Sequence, residues 1–473
     1  QGTEPRRKEE DRSISADGIR PKNGAGNPGR GEGPGGFSPG SSFGEIAGTR
    51  GMRRRSTGSA RRIDMPGTGG YSGNMKSGWV RSAGLFLAVA GTAIAAAQTG
   101  APVREELMAR LAAGAGSPPL FEVLTPLLLD YVESILIPAK AADLYAAETP
   151  ADFLERLESL TGKDLIDLGA DMFAFYESKP AAGDAKKWTS FPAGPFLVFI
   201  HPGSAADRDR DLIARQLAAT TAAVVEALGA ADRFEAARAF LQPPAEDAPG
   251  LIPVRLFASR REDGVSKIRK HSQGSATLGA TIVDKAGRLT FTIDVLYLNA
   301  LSLTVLEHEA AHAVVLLSTF DTASLTSGPL RDEAGLRKAF FAGYRKVPTF
   351  LQEGLGDWGF YYRGFHRAWG LLPPPGALVS GLEEKGRTLP LAELLAGDIR
   401  YAARNRKAYS LQAASFIDFL MATQGKEKVF RWLLTNETNA AKTFEGVFGL
   451  TITEAGKEWK AARSSIPSCP AAL

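Results

Sequence analysis

One short segment of the chain carries residue types that can bind a metal ion and activate water. It runs from 304 to 315 and contains His308, Glu309 and His312 in an H-E-x-x-H pattern. On a helix, residues four positions apart share one face, so the two histidines can offer imidazole nitrogens to one ion. Glu309 lies beside them, where a carboxylate can take a proton from metal-bound water. The segment therefore predicts a metal site with a general base.

A catalytic zinc site needs a third protein ligand, which the motif does not contain. One class of zinc proteases supplies a histidine in the pattern H-E-x-x-H-x-x-G-x-x-H, but here Val315 and Ser318 occupy its Gly and last His positions. The other main solution is a carboxylate from a later helix. Glu353, 41 residues after His312, is the best candidate. Asp357, one helical turn later, is expected to accept a hydrogen bond from a ligand histidine.

At these residues the sequence resembles the gluzincin zinc metallopeptidases, the group that contains thermolysin-like and aminopeptidase-like enzymes. The resemblance covers about 276–463. It is most specific at 308–312 and at 350–355, which is similar to the family's aromatic-Leu-x-Glu-Gly segment. The resemblance implies Zn²⁺ as cofactor, bound by His308, His312 and Glu353. It also implies Glu309 as the general base and Asp357 as the acid that supports a ligand histidine.

The resemblance also extends to Tyr409. The aminopeptidase-like branch has a tyrosine before a late helix that hydrogen-bonds the oxyanion, and Tyr409 is similarly placed, although the glycine that often follows it is absent. The G-x-M-E-N segment that anchors a substrate's free N-terminus is also absent, which argues against dedicated aminopeptidase action. The segment 447–459 is similar to the end of peptidase MA-like domains.

The patterning outside the motif predicts an α+β fold. Residues 98–190 have helical spacing and predict an N-terminal subdomain, in which Pro126 and Pro138 interrupt an apolar run. Over 191–463 the resemblance implies a zincin-like metallopeptidase domain, with a small mixed sheet and the H-E-x-x-H helix followed by a mostly helical C-terminal lobe. Apolar runs predict four strands: 196–200, 253–257, 275–283 and 288–295. Either strand of the last pair, a hairpin, is a candidate edge for an extended peptide.

Residues 1–74 differ from the rest of the chain. They hold eighteen glycines with scattered prolines and arginines. Such a segment cannot bury enough apolar surface to offset its chain entropy, so it predicts a disordered leader. Because a signal-like segment begins at Met75, we hypothesise that translation starts there and that 1–74 is a start-site artefact.

Residues 75–97 predict export. A positively charged start, a short apolar core and three alanines at 95–97 are typical of a secretory signal peptide. The apolar run is short for a membrane span, so no stable span is expected after cleavage, and an uncleaved anchor is the alternative. The expected location is periplasmic or secreted.

Charge and cysteine content limit the partners. Residues 1–97 hold 15 Lys and Arg against 8 Asp and Glu, which leaves 41 against 44 for the rest. The basicity lies in the leader, so no nucleic-acid partner is expected for the folded part. The single cysteine, Cys469 in the tail 464–473, permits no intrachain disulfide.

These observations predict an exported zinc-dependent peptidase that acts on internal peptide bonds of a peptide or protein substrate. Two alternatives stay open. The first is an envelope or scaffold protein with a zincin fold that binds peptides without turnover, against which the intact Glu309 argues. The second is a zinc hydrolase of a non-peptide amide. Substrate preference and oligomeric state are not encoded in any pattern of the sequence.

Overall fold

The structure is a computed structural model, and it describes residues 103–463 and 465 apart from short gaps. The gaps are 181–182, 185, 245–247, 263–272, 331, 359–367, 372–374 and 464. Residues 1–102 and 466–473 are also outside the described part. The predicted leader, the predicted signal peptide and Cys469 therefore lie outside the described residues.

Five helices open the described chain. They are α1 (103–112), α2 (Pro118–Ile135), α3 (Pro138–Tyr145), α4 (Pro150–Thr161) and α5 (Leu165–Glu177). Two of them begin at a polar cap, since the side chain of Thr149 accepts a hydrogen bond from the N–H of Asp152 and Asp164 caps α5 in the same way. Proline in the first turn and a capping side chain before it are strong helix-start signals.

The expected break at Pro126 is wrong, because α2 continues through this residue. Proline removes one N–H···O bond of the helix. Here the buried face of α2, which includes Leu124, Leu128 and Leu129, holds the helix together across the proline. The carbonyl of Pro126 accepts a further hydrogen bond of 2.9 Å from Arg104 Nη2. Packing of an apolar face thus overrides the local preference.

A mixed five-stranded sheet follows. Its strands are β1 (Thr189–Ala193), β2 (Phe196–Ile200), β3 (Ile252–Phe257), β4 (Gly274–Val283) and β5 (Ala286–Leu296). The order is β1-β2-β3-β5-β4, with β2, β3 and β5 parallel and both outer strands antiparallel to their neighbours. Because β5 lies between β3 and β4, it has no open edge, and of the hairpin only β4 does.

The hairpin turn is tighter than the sequence suggested. It consists of Asp284 and Lys285 alone, both with positive φ, at 50° and 63°. Two central residues in this conformation define the turn whose twist matches paired antiparallel strands. The result is a long, regular pairing in which Gly274 lies opposite Val295 and Val283 opposite Ala286.

The remaining described elements are helical. Between β2 and β3 lie α6 (Ala205–Arg208), α7 (Arg210–Leu228) and α8 (Ala231–Arg238). After β5 come a 3₁₀ turn (Ala300–Ser302), α9 (Leu303–Thr319), α10 (Ala323–Thr326), α11 (Glu333–Gly343), α12 (Thr349–Trp358), α13 (Pro375–Glu384), α14 (Leu391–Ala396), α15 (Ile399–Arg404), α16 (Arg406–Gln424), α17 (Lys426–Leu433), α18 (Ala440–Phe448) and α19 (Ile452–Ala462). A small sheet with a mostly helical remainder confirms the α+β class.

The N-terminal helices share their core with the rest of the described chain. One hydrophobic cluster includes residues from Leu107 to Trp459. Trp369 lies inside it, where its ring packs edge-on against Phe153 at 5.1 Å between centroids and its Nε1–H donates to Thr125 Oγ1 at 2.8 Å. The helices before the sheet therefore pack directly against residues that follow α12.

Candidate metal centre

The helix α9 places the two histidines of the motif inside the protein. It packs against β4, β5, α7, α8 and α12. Its apolar residues face several of these elements at once, so nearly the whole helix is buried. The stretch Ala300–Thr319 is apolar and long enough to cross a membrane by composition, but 78% of it is buried inside the fold, as expected for a core helix.

The helix α12 brings the two acidic residues to α9, and two glycines permit its close approach. A Cβ added to Gly354 would lie 2.6 Å from Cδ1 of Ile417 on α16. A Cβ on Gly356 would lie 2.7 Å from Cε1 of His308. Side chains at these positions would push α12 away from both neighbouring helices. The positions of Glu353 and Asp357 relative to α9 depend on this contact.

Three side chains meet in one group that can hold a metal ion: His308, His312 and Glu353. Their candidate ligand atoms all lie within 4.8 Å of one another. Nε2 of His308 is 3.7 Å from Oε2 of Glu353, and Nε2 of His312 is 3.8 Å from Oε1. The imidazole planes are nearly perpendicular, at 87° with 4.4 Å between ring centroids. Among the described residues, no other group of three or more such side chains comes this close.

The spacing of these atoms fits a metal ion better than direct hydrogen bonds. Both nitrogen–oxygen separations exceed the distance of a normal hydrogen bond. Ligands bound at about 2.1 Å around a tetrahedral ion stand about 3.4 Å apart, which is close to the observed 3.7 and 3.8 Å. Two imidazoles and one carboxylate are ligands that divalent transition metals accept. The geometry alone does not select one metal.

Asp357 fixes the orientation of His308. Its Oδ1 lies 2.9 Å from Nδ1 of the imidazole. A carboxylate only accepts, so Nδ1 carries the proton and donates it, and Nε2 faces Glu353. This is the arrangement that sets the tautomer of a metal-binding histidine. His312 differs, because its buried Nδ1 has no hydrogen-bond partner among the described residues.

The carboxylates give the two histidines opposite proton affinities in the metal-free centre. Burial lowers the pKa of His308, but the charge and hydrogen bond of Asp357, followed by the charges of Glu353 and Glu309, outweigh it and raise this pKa to about 9. Burial and the charge of His308 hold the pKa of His312 well below its usual range. A proton on His308 thus supplies positive charge where the ligand group would bind a cation.

Glu309 lies beside the ligands, against the beginning of β4. A Cβ on Gly274 would be 2.9 Å from both Cγ and Oε1 of Glu309, so only glycine lets the strand pass this close. Burial raises the pKa of Glu309 to about 7, with a further rise from Glu353; the charge of His308 and a hydrogen bond from the backbone N–H of Ala276 act against it. A carboxyl group with a pKa near neutrality can accept and return a proton.

Tyr409 lies in the first turn of α16 and is almost fully buried, with 1% exposure. Its hydroxyl has no hydrogen-bond partner among the described residues. Burial raises its pKa, followed by the charge of Glu353, which places the ring within the electrostatic reach of the metal ligands. Gly397 makes room for this ring, because a Cβ there would lie 3.1 Å from Tyr409 Cε2.

Sequence reasoning missed two contributors on α16. Arg406 begins this helix; burial raises the pKa of both Glu353 and Glu309, and the positive charge of Arg406 acts against that rise. Lys407 binds across to the N-terminal helices, with its Nζ 2.6 Å from Asp164 Oδ2 and 3.0 Å from an oxygen of Asp167. The sequence signal that could have pointed to Arg406 is its position one helical turn before the predicted Tyr409.

The third described histidine, His201, belongs to a separate network. Its Nε2 lies 2.6 Å from Glu262 Oε2 and its Nδ1 lies 2.7 Å from the carbonyl of Lys187. Trp188 covers the ring at 3.8 Å between centroids. Both ring nitrogens of His201 are therefore paired within this network. His271 and His366 lie outside the described residues.

Comparisons of the chain with protein-family models, with curated proteins and with solved structures found no match.

Proposed function

We propose that this chain is an exported zinc-dependent peptidase of the gluzincin type with a zincin-like fold. The observation that carries the proposal is the His308–His312–Glu353 group with Glu309 buried beside it. A binding site for a structural metal has no need of a base, whereas a hydrolytic site does. The ligand set matches the one implied by the resemblance at 308–312 and 350–355. So does Asp357, the acid that accepts a hydrogen bond from His308.

Zinc is the metal we assign to the group. Three protein ligands of the types His, His and Glu leave a fourth tetrahedral position for water or substrate. When bound, Zn²⁺ would supply a water of pKa about 7 and polarise a carbonyl oxygen. His308 and His312 would hold it through Nε2, the nitrogens that face Glu353.

The residues of the chain divide the remaining work. Glu309 accepts a proton from the attacking water and returns it to the leaving amine, for which a pKa near 7 is suited. Asp357 holds the His308 imidazole in orientation. The unpaired hydroxyl of Tyr409 is the donor we assign to the oxyanion, a contribution of about 3 kcal/mol in comparable sites.

The open edge of β4 supports a peptide substrate. Just before β4, the carbonyl of Gln273 accepts a hydrogen bond from the N–H of Leu296. By the alternation of an antiparallel pair, the backbone N–H and C=O groups of odd-numbered residues in β4 point toward β5. Backbone groups of even-numbered residues such as Leu278 therefore point the other way, as the hydrogen bond from Ala276 to Glu309 also indicates. No described strand pairs with this edge. An extended peptide that adds to it runs directly past the proposed base.

The test is hydrolysis of casein by the full-length chain after removal of metal and addition of one equivalent of zinc. The expected result is turnover that a chelator abolishes and zinc restores. Glu309→Gln is expected to retain zinc and lose turnover. Glu307→Gln, on the same helix two residues earlier, is the matched control and is expected to stay active.

The outcomes separate the proposed peptidase from the peptide-binding scaffold. Zinc binding and peptide binding without turnover in the wild-type chain would favour the scaffold. Turnover that persists in Glu309→Gln would refute the assigned base. Turnover of a simple amide but of no peptide would favour a non-peptide substrate.

A further inference from the structure

We propose that Arg406 binds a carboxylate of the substrate, so that the site prefers peptides with an acidic side chain or a free C-terminus near the cleaved bond. The inference rests on the proposed peptidase function and names its substrate class. A guanidinium group binds carboxylates through two parallel hydrogen bonds, which gives both affinity and orientation.

The placement of Arg406 follows from the packing of α16 on α12. Ala413 and Ile417 of α16 contact Gly354, the residue next to Glu353. Arg406 precedes Ala413 by seven positions and Ile417 by eleven, which are nearly whole numbers of helical turns. All three residues therefore lie on the face of α16 that meets α12. Arg406 is at the end of that face, where the helix begins.

The charge of Arg406 is exposed and uncommitted within the described part of the chain. The residue is exposed, and no hydrogen bond or ion pair joins its guanidinium to a described residue. The nearby carboxylates already have other roles, since Glu353 faces the two histidines and Glu309 receives the Ala276 N–H. Arg406 lies on the face of α16 that contacts Gly354, the residue next to the proposed metal ligand Glu353. An incoming carboxylate is the partner left for it.

The neighbouring residue holds the first turn of α16 in place. Lys407 Nζ is 2.6 Å from Asp164 Oδ2, and an oxygen of Asp167 lies 3.0 Å away. Successive residues of a helix project about 100° apart, so Lys407 points to the N-terminal helices while Arg406 points elsewhere. This anchoring limits the motion of the helix start, which lowers the entropic cost of binding through Arg406.

The experiment measures cleavage of three quenched fluorescent peptides by the zinc-loaded, full-length chain. The peptides share one parent sequence. The first has a neutral interior and an amidated C-terminus, the second has one Gln replaced by Glu, and the third has a free C-terminus. Varying the position of the replacement locates the preferred subsite. We expect kcat/KM to be about 10- to 100-fold higher for one acidic peptide than for the neutral one, as for hydrogen bonds to a charged group.

The variants test whether Arg406 is the source of this preference. Arg406→Gln should remove the ratio between acidic and neutral peptides, mainly through KM, while Arg406→Lys keeps part of it. Any effect of the lost charge on Glu309 acts on both peptides and cancels in the ratio. Arg431→Gln removes one charge from an exposed position of α17 and should leave the ratio unchanged.

Two results would overturn the assignment: a wild-type chain without preference, or a preference that Arg406→Gln retains. If no peptide is cleaved at all, the proposed function fails separately. Binding of the same peptides to the zinc-loaded Glu309→Gln variant, measured by calorimetry, then tests Arg406 alone. A preference of Glu309→Gln for the acidic peptides that is lost in Glu309→Gln/Arg406→Gln supports the proposal. Equal affinity of Glu309→Gln, which retains Arg406, for acidic and neutral peptides contradicts it.

Discussion

Gly356 and His308 are in direct contact across the interface of α12 and α9. A Cβ built on Gly356 would lie 2.7 Å from Cε1 and 2.8 Å from Nδ1 of the imidazole. The same Nδ1 is 2.9 Å from Asp357. The backbone of α12 at Gly356 thus limits where the imidazole of His308 can lie, and the carboxylate of Asp357 fixes its tautomer.

Gly356→Ala should weaken metal binding although alanine favours the helix. Its methyl group would displace the imidazole or tilt α12, and misplaced ligands or supporting groups cost about 10- to 100-fold in metal affinity. Competition with a chromophoric chelator measures this. Gly446→Ala in α18, where nothing lies within 4 Å, is the control. Equal zinc affinity of Gly356→Ala and wild type would contradict the described contact.

Asp357→Asn should also lower zinc affinity by about 10- to 100-fold. The amide can present its oxygen to Nδ1–H of His308, but it supplies no negative charge, so the imidazole becomes a weaker ligand. The same competition assay applies, with Asp398→Asn, at the residue that caps α15, as a control. An unchanged zinc affinity would show that the 2.9 Å contact does not tune the ligand.

Gly274→Ala should separate catalysis from metal binding. The added methyl meets Glu309 and Val305 at 2.9 Å, and the three atoms nearest to it belong to these two residues. We expect full zinc content with kcat lowered by about 10-fold or more, since a general base contributes about 10²- to 10⁴-fold. Zinc analysis and casein turnover on one sample test both parts. Loss of zinc with unchanged activity per bound zinc ion would contradict this prediction.

The metal-free protein should lose stability as the pH rises from about 6.5 to about 9, above the range in which the lowered pKa of His312 contributes the opposite slope. The pKa of Glu309 is raised from 4.5 to about 7 and that of His308 from 6.5 to about 9. A group whose pKa is higher when folded stabilises the fold below its unfolded pKa, and this contribution disappears as pH passes the folded value. Urea unfolding with chelator present measures the effect.

The Asp357→Asn variant isolates the His308 part of this pH dependence. Without the carboxylate, the decline in unfolding free energy above about pH 6.5 should become shallower than in wild type. Identical pH profiles for the two proteins would contradict the assignment of Asp357 as the main cause of the raised His308 pKa.

The sequence predicted the ligand group because the relevant signals are local. The spacing of His308 and His312 sets their common face, and the pattern at 350–355 marks Glu353. Hydropathy likewise predicted β2 at the observed bounds, since a buried strand is continuous in apolar residues. The helix around Pro126 was missed because tertiary packing, which no local pattern encodes, decides whether it continues.

Arg406 and Gly274 were missed for a different reason. Each reaches the centre only through the contact of two elements far apart in the chain, α16 on α12 and β4 on α9. Neither residue forms a motif with the histidines. The resemblance supplied Tyr409 from the same helix, but the step from this residue to its neighbour one turn earlier requires the packing face that Gly354 defines.

The central claim is that His308, His312 and Glu353 bind one metal ion together. Native mass spectrometry of the zinc-loaded, full-length chain tests it most directly. We expect one zinc per wild-type chain and per Glu333→Ala control, and loss of tightly bound zinc in Glu353→Ala. One zinc retained by Glu353→Ala with wild-type affinity would contradict it.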